Sequence, residues 1–128
     1  MKCISIQHNT LSDVRVLSVE FELKSETVEY EIFSNGIGFI RIWDDVSKKY
    51  IKRTSDYSSA YYTIRTIIKA IFGDIDFDKL IGDDFDFGIT CYDNYSTCYV
   101  SDYDSVTTLS LDELKRQVKT SYFKDMRI

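Results

Sequence analysis

The sequence is poor in the residues that build most catalytic and structural sites. Its 128 residues include no proline, one histidine and three cysteines, Cys3, Cys91 and Cys98. The odd number and wide spacing of the cysteines argue against a disulfide scaffold or a zinc knuckle and favour free thiols. The single histidine, His8, offers little basis for a nucleophile–histidine pair. We interpret it as an edge-strand residue without a catalytic role.

Long apolar runs are also missing. No stretch approaches the roughly 18 apolar residues of a membrane span, and Met1–His8 alternates with polar residues, unlike a secretory signal. We therefore expect a soluble protein of the cytoplasm, either of a bacterium or of an infected host cell. The absence of proline and the presence of only two alanines are typical of AT-rich genomes. This bias favours a low-GC bacterium, a phage or another mobile element as the source.

Motifs for cofactors and repeats are absent as well. Asn35-Gly36-Ile37-Gly38 is too short and wrongly spaced for a phosphate-binding loop, and a hairpin turn explains it. No internal repeat or low-complexity linker interrupts the chain. A length of 128 residues with 44% hydrophobic residues is enough for one core. We expect a single compact domain over residues 1–128.

Charge is distributed unevenly along the chain. The formal net charge is −5, yet residues 74–113 contain eleven acidic residues and only one basic residue, Lys79. The electrostatic field of this excess negative charge repels nucleic acid and attracts basic protein surfaces. Apolar residues interleave with these acids at a density that disordered tails lack, so we expect this acidic segment to be folded.

Apolar periodicity predicts the main elements. Alternation indicates strands at residues 17–23, 28–32, 37–43 and 50–53, with a turn at 34–36. Residues 57–72 change to helical spacing, and Gly73 is suited to end that helix. A further helical turn is expected over residues 76–81.

The second half of the chain predicts a hairpin and a capped helix. Strands at residues 85–92 and 97–101 flank a four-residue loop, which sets Cys91 opposite Cys98 and leaves Tyr92 and Tyr99 on the outer face. The capping box Ser110–Glu113 begins a helix that extends to about Tyr122. The predicted fold class is α+β: an antiparallel sheet, made of an N-terminal meander and this hairpin, packs on a central helix and a capped C-terminal helix. One sheet face stays exposed.

One acidic triplet and several acidic pairs are candidate sites for metal binding or catalysis. Asp74, Asp76 and Asp78 have the spacing that opens an EF-hand loop, but Lys79 and Phe85 occupy positions that require glycine and glutamate. Pairs such as Asp83 with Asp84, or Glu20 with Glu22, occur by chance in a chain with 21 acids, and a small domain has little room for a sugar cleft. We expect no enzyme activity, catalytic residue, metal or cofactor. A small metal-binding or enzymatic domain using residues 74–84 is the second alternative.

Aromatic residues near the acids are the best candidates for an interface. Trp43 and the ten tyrosines supply rigid contact area with a polar tip, and outward tyrosines lack burial as an explanation. The predicted partner-binding surface combines acids and tyrosines of the acidic segment: Asp76, Asp78, Asp83, Asp84, Asp86, Tyr92, Asp93, Tyr95, Tyr99, Asp102, Tyr103 and Asp104.

These features favour a non-enzymatic inhibitor that acts by nucleic-acid mimicry. Carboxylates would pair with lysines and arginines that normally contact phosphate, and tyrosines would replace stacked bases. In size, acidity and composition, though in no motif, the chain resembles small phage-encoded anti-defence proteins such as the anti-CRISPRs. The first alternative is an immunity protein that neutralises a co-encoded toxin such as a nuclease. We expect a basic partner protein, no direct binding to nucleic acid or membranes, and a second copy of the chain as a further candidate partner.

Overall fold

The fold is an eight-stranded antiparallel sheet with helices on one face. The computed structural model describes residues 3–23, 26–74, 76–82, 86–92, 97–102, 105–110, 112–113 and 116. Its elements follow the chain in the order β1 Cys3–Leu11, β2 Val14–Leu23, β3 Glu26–Phe33, β4 Gly38–Asp44, β5 Lys49–Ser55, α1 Tyr57–Phe72, α2 Phe77–Gly82, β6 Phe87–Tyr92, β7 Thr97–Asp102 and β8 Ser105–Leu109. The predicted α+β class is confirmed.

The sheet is built outward from its first strand. Its strand order is β5-β4-β3-β2-β1-β6-β7-β8, so the first five strands form a meander and the chain returns after α2 to the other side of β1. The prediction that His8 lies on an edge strand is therefore wrong. His8 is fully buried between β2 and β6, and its ring stacks on Phe87 at 5.3 Å between centroids. Local alternation could not reveal this because the β1–β6 pairing joins distant parts of the chain.

The long helix has the predicted bounds and the predicted C-terminal glycine, and its N-cap is a residue that was not predicted. The side chain of Asp56 accepts a hydrogen bond from the Ser59 amide at 3.1 Å and so caps the first turn. At the other end Gly73 has a φ of 80°, a backbone conformation that favours glycine. The buried face of the helix, which contacts β3 and β4, consists of Ala60, Ile64, Ile68, Ile71 and Phe72.

The core lies between the helices and one face of the sheet. Inward side chains of β1, β2, β6 and β7 meet there because strand residues alternate between the two faces. Cys91 lies opposite Cys98 as predicted, and both side chains are buried with their Sγ atoms 2.7 Å apart. Burial raises the pKa of the Cys98 thiol, although the hydrogen bond from Cys91 works in the opposite direction.

The C-terminal part differs from the prediction in one strand. The sequence analysis did not anticipate β8, which pairs with β7 and extends the hairpin to three strands. The Ser110 hydroxyl accepts from the Glu113 amide at 3.2 Å, as the capping box predicts, and Arg116 pairs with Glu113 at 2.8 Å. Most of the expected C-terminal helix lies outside the described residues. No helix among the described residues is long and apolar enough to cross a membrane.

Candidate interaction surface

The sheet face opposite the helices is not covered by any helix among the described residues. We call it the open face. It is defined by the side chains that alternate with the core residues, and its central row crosses all eight strands. From β5 to β8 this row consists of directly paired residues: Arg53, Arg41, Glu29, Glu20, Ser5, Thr90, Tyr99 and Thr108. The row therefore passes from two bases through two acids to four uncharged hydroxyl residues.

An ion-pair network organises the part of the open face on β2–β5, which we call the charged half. The Arg41 guanidinium contacts the carboxylates of Glu29 and Glu31, and its Nη2 atom lies 2.6 Å from Glu31 Oε1. These side chains are only 26%, 18% and 15% exposed. The network is thus partly withdrawn from water although it lies on an uncovered sheet face. Arg41 also lies over the Tyr50 ring, 5.3 Å from its centroid.

Like charges oppose each other beside this network. Glu20 lies directly opposite Glu29 in the β2–β3 pair, an arrangement that destabilises a sheet. Desolvation raises the pKa of the Glu20 carboxyl, and repulsion from Glu29 and Asp45 adds to the effect. Desolvation and Glu29 also raise the pKa of Glu31, despite the nearby Arg41. The charged half therefore contains more negative charge than its own cations neutralise.

A recess of about 340 Å³ opens at one end of the charged half. We call it the aromatic–acidic recess, and it is lined by Glu20, Thr27, Trp43, Asp45 and Tyr50. The rings of Trp43 and Tyr50 meet edge to face, with centroids 4.9 Å apart and planes at 77°.

The turn after β4 positions Asp45 at this recess. The neighbouring Asp44 carboxylate accepts hydrogen bonds from the Val46 amide at 3.0 Å and from the Ser47 hydroxyl at 2.8 Å. These bonds lower the pKa of Asp44, since they favour its charged form. Because Asp44 holds the turn, the exposed Asp45 carboxylate is available to a ligand.

The remaining part of the open face, on β1 and β6–β8, is the uncharged half. Most of its described side chains are polar. The exceptions are the exposed Leu11 at the end of β1 and the rings of Tyr92 and Tyr99, which meet edge to face at 5.8 Å. Because Gly88 has no side chain, the surface of the sheet is recessed at the centre of this half. A Cβ atom there would lie 2.6 Å from Ser101 Oγ and 2.9 Å from the Gln7 amide group. A second recess, of about 250 Å³, is lined by Gln7, Asn9, Asp86, Phe87 and Ser101.

The predicted partner-binding residues are divided between the two sides of the sheet. Tyr92 and Tyr99 lie on the open face, and Tyr99 is 42% exposed. Asp86 accepts a hydrogen bond from the Thr10 amide at 2.7 Å and so joins β1 to the start of β6. The other predicted residues lie outside the described residues or, for Asp102 in β7, have an undescribed side chain: Asp83, Asp84, Asp93, Tyr95, Asp102, Tyr103 and Asp104.

Asp76 and Asp78 lie in the helical layer instead. The Asp76 carboxylate accepts from the Lys79 amide at 3.1 Å at the start of α2. Asp78 accepts from the Tyr61 hydroxyl at 2.6 Å, and this hydrogen bond raises the pKa of Tyr61 to about 12. Within the described part of the chain, no three His, Cys, Asp or Glu residues are grouped closely enough to hold a metal ion.

Sequence reasoning placed Glu20, Glu22, Glu29 and Glu31 outward but did not identify them as a site. The signal was present in the alternation of two adjacent strands, each with two acids two positions apart. Arg41, Asp45 and Tyr50 were missed because their proximity depends on the β3–β4–β5 register. That register shifts between Ile42 and Trp43, which strand alternation does not predict.

Comparison with protein-family models, curated proteins and solved structures found no match for this chain. We therefore infer function from the residues of the open face and from the distribution of charge. What the open face offers is a broad surface with carboxylates and aromatic rings, which is suited to binding.

Proposed function

We propose that this chain is a non-catalytic binding protein that covers, and so blocks, a basic surface of a partner protein that handles nucleic acid. The observation that supports this proposal is the open face, a side of an eight-stranded sheet that no described helix covers and that presents carboxylates and exposed rings. Seven gaps of about 4.8 Å give the face a width of about 34 Å, and seven residues of strand give a height of about 23 Å. The resulting area, on the order of 800 Å², is what a standard interface takes from each partner.

The chemistry of the face favours a basic partner. Glu20 and Glu22 have no ion pair within the described residues, and Asp45 adds a third carboxylate beside them. Lysines and arginines that otherwise hold phosphates would pair with such carboxylates. The exposed rings of Tyr50 and Tyr99 would occupy the places of stacked bases.

The acidic segment at 74–113 supports the same function through long-range electrostatic attraction. Its net charge of −10 creates a field that raises the encounter rate with a basic protein, and salt weakens this effect. Asp76, Asp78 and Asp86 hold internal hydrogen bonds, so we assign them to this field. The open face then provides the docking contacts, and the site of action is the cytoplasm in which the partner works.

The test is a nuclease-treated pull-down from the source organism and its host, analysed by mass spectrometry. The baits are the wild type, the face variant Glu20→Lys/Glu22→Lys and the matched control Asp13→Lys/Asp74→Lys. The control reverses two exposed charges that lie off the open face. We expect a basic nucleic-acid-processing protein with the wild type and the control but not with the face variant.

Two results would contradict the proposal. If the face variant retains the partner as well as the wild type does, the open face is not the interface. If the face variant and the control both lose the partner, the open face contributes only non-specific electrostatic attraction. The identity of the captured protein also separates the alternatives. A toxin encoded beside this chain would make it an immunity protein, whereas a second copy of the chain would make the face a dimer interface.

A further inference from the structure

We infer that the aromatic–acidic recess holds one arginine side chain of the partner protein. This inference rests on the proposed function and deepens it, because it names the group on the basic surface that the open face recognises. The recess volume of about 340 Å³ lies at the low end of the range for small-molecule sites. That size fits one long side chain better than a cofactor.

The charge of the recess requires a cation. Glu20 and Asp45 line it together, and Glu29 directly opposes Glu20 in the sheet. The nearest described cation, Arg41, is already engaged by Glu29 and Glu31. Repulsion between these carboxylates raises the pKa of Glu20 further, and a bound cation would reverse that effect.

The rings of the recess select a guanidinium over an ammonium. Trp43 and Tyr50 supply aromatic surface beside the two carboxylates, so a planar group can stack and donate hydrogen bonds at the same time. The open face already uses this combination internally. The Arg41 guanidinium lies over Tyr50, and the Arg53 guanidinium lies 4.2 Å from the centroid of Phe39. A partner arginine would repeat the combination that Arg41 makes with a ring and two carboxylates.

Trp43 makes the recess directly observable, since it is the only tryptophan in the chain. The experiment titrates the purified full chain with N-acetyl-arginine amide and follows the indole N–H signal of Trp43 by NMR. We expect a saturable shift with a dissociation constant on the order of 1 mM, as fits one side chain. The neutral citrulline amide, which has the same shape, should produce no saturable shift, and the lysine amide should bind more weakly.

Charge variants locate the binding within the recess. Glu20→Gln and Asp45→Asn should each weaken arginine binding about tenfold, since each removes a charge-assisted hydrogen bond. Asp13→Asn is the matched control, because it removes one exposed carboxylate that lies off the open face. Binding should also weaken as the pH falls through the raised pKa of Glu20, because the protonated carboxyl no longer attracts the guanidinium.

Three results would overturn the inference. These are the absence of a saturable Trp43 shift, equal weakening by Asp13→Asn and Glu20→Gln, or lysine amide binding as tightly as arginine amide. The assay needs no partner, so its failure is distinct from failure of the proposed function. A pull-down that succeeds while arginine does not bind would keep the open face as the interface and remove the recess from it.

Discussion

The two halves of the open face are built on the same backbone pattern but are stabilised in different ways. In the charged half, Arg41 is held by two carboxylates and by the Tyr50 ring. In the uncharged half the side chains are mostly short, and their mutual contacts are long hydrogen bonds such as Thr90 Oγ1 to Ser5 Oγ at 3.4 Å. Backbone pairing and the opposite core face stabilise both halves alike. The outward side chains are therefore not required for the sheet to form and are available for binding.

The charged half and the uncharged half differ in how far their outward side chains depart from what would stabilise the sheet. Among the described residues, two acids lie directly opposite each other in the charged half, where desolvation and repulsion by Glu29 raise the pKa of Glu20 although Arg41 acts in the opposite direction. Local conflicts of this kind concentrate at functional sites, since selection there favours binding over stability. The comparison identifies the charged half as the more specialised surface and the uncharged half as the flatter support.

The largest expected effect comes from removing the central cation of the charged half. Arg41→Met leaves Glu29 and Glu31 close together and only partly solvated, so the free energy of unfolding should fall by about 2 kcal/mol. The measurement is urea denaturation. The matched change in the same row of the uncharged half, Thr90→Val, should stay within about 0.5 kcal/mol. Equal losses in the two variants would remove the distinction between the halves.

A smaller loss is expected from filling the low centre of the uncharged half. Gly88→Ala places a Cβ 2.6 Å from Ser101 Oγ, and the free energy of unfolding should fall by about 1 kcal/mol as the neighbouring side chains shift. Gly82→Ala is the control, because its added Cβ meets nothing within 4 Å. A cost for Gly88→Ala above that of Arg41→Met would mean that the uncharged half is the more tightly constrained one.

The pH dependence of stability should reside in the charged half. The folded state raises the pKa of Glu20, so ionisation of this carboxyl opposes folding above that pKa and the penalty disappears as the pH falls through it. Glu20→Gln should therefore raise the melting temperature at pH 7 by about 2 °C. The difference should shrink at pH 4. A variant that is less stable than the wild type at pH 7 would contradict this sign.

The smallest effect is expected at the exposed ring of the uncharged half. Tyr99→Ala removes one member of the Tyr92–Tyr99 pair from a position that is already 42% exposed, so the free energy of unfolding should fall by less than about 0.5 kcal/mol. The same variant should not change the release of a small ligand from the aromatic–acidic recess, because Tyr99 does not line that recess. A large stability loss, measured by urea denaturation, would show that the ring is structural.

Local patterns predicted the parts of the fold that depend on local physics. The bounds of α1 and its end at Gly73 follow from apolar spacing and a glycine, and the Cys91–Cys98 pairing follows from loop length. The position of β1 did not, because a strand with alternating residues is equally suited to an edge or an interior place until its partners are known. His8 was misassigned for that reason.

The candidate site was predictable only in part. The outward positions of Tyr92 and Tyr99 were correctly derived from the hairpin register, and the strand alternation placed the four glutamates outward. Their relation to Arg41, Trp43 and Tyr50 depends on four aligned strands and on the irregular step in β5. Such relations are set by tertiary register rather than by any local motif.

The interior place of β1 has a consequence for synthesis of the protein on the ribosome. Ile4 pairs with both Phe21 and Cys91, so one edge of β1 finds its partner early and the other must wait until residues 87–92 have been made. During that interval the meander presents an unpaired strand with apolar residues on one side, a surface prone to aggregation. Production of intact protein therefore depends on how quickly β6 follows the meander out of the exit tunnel.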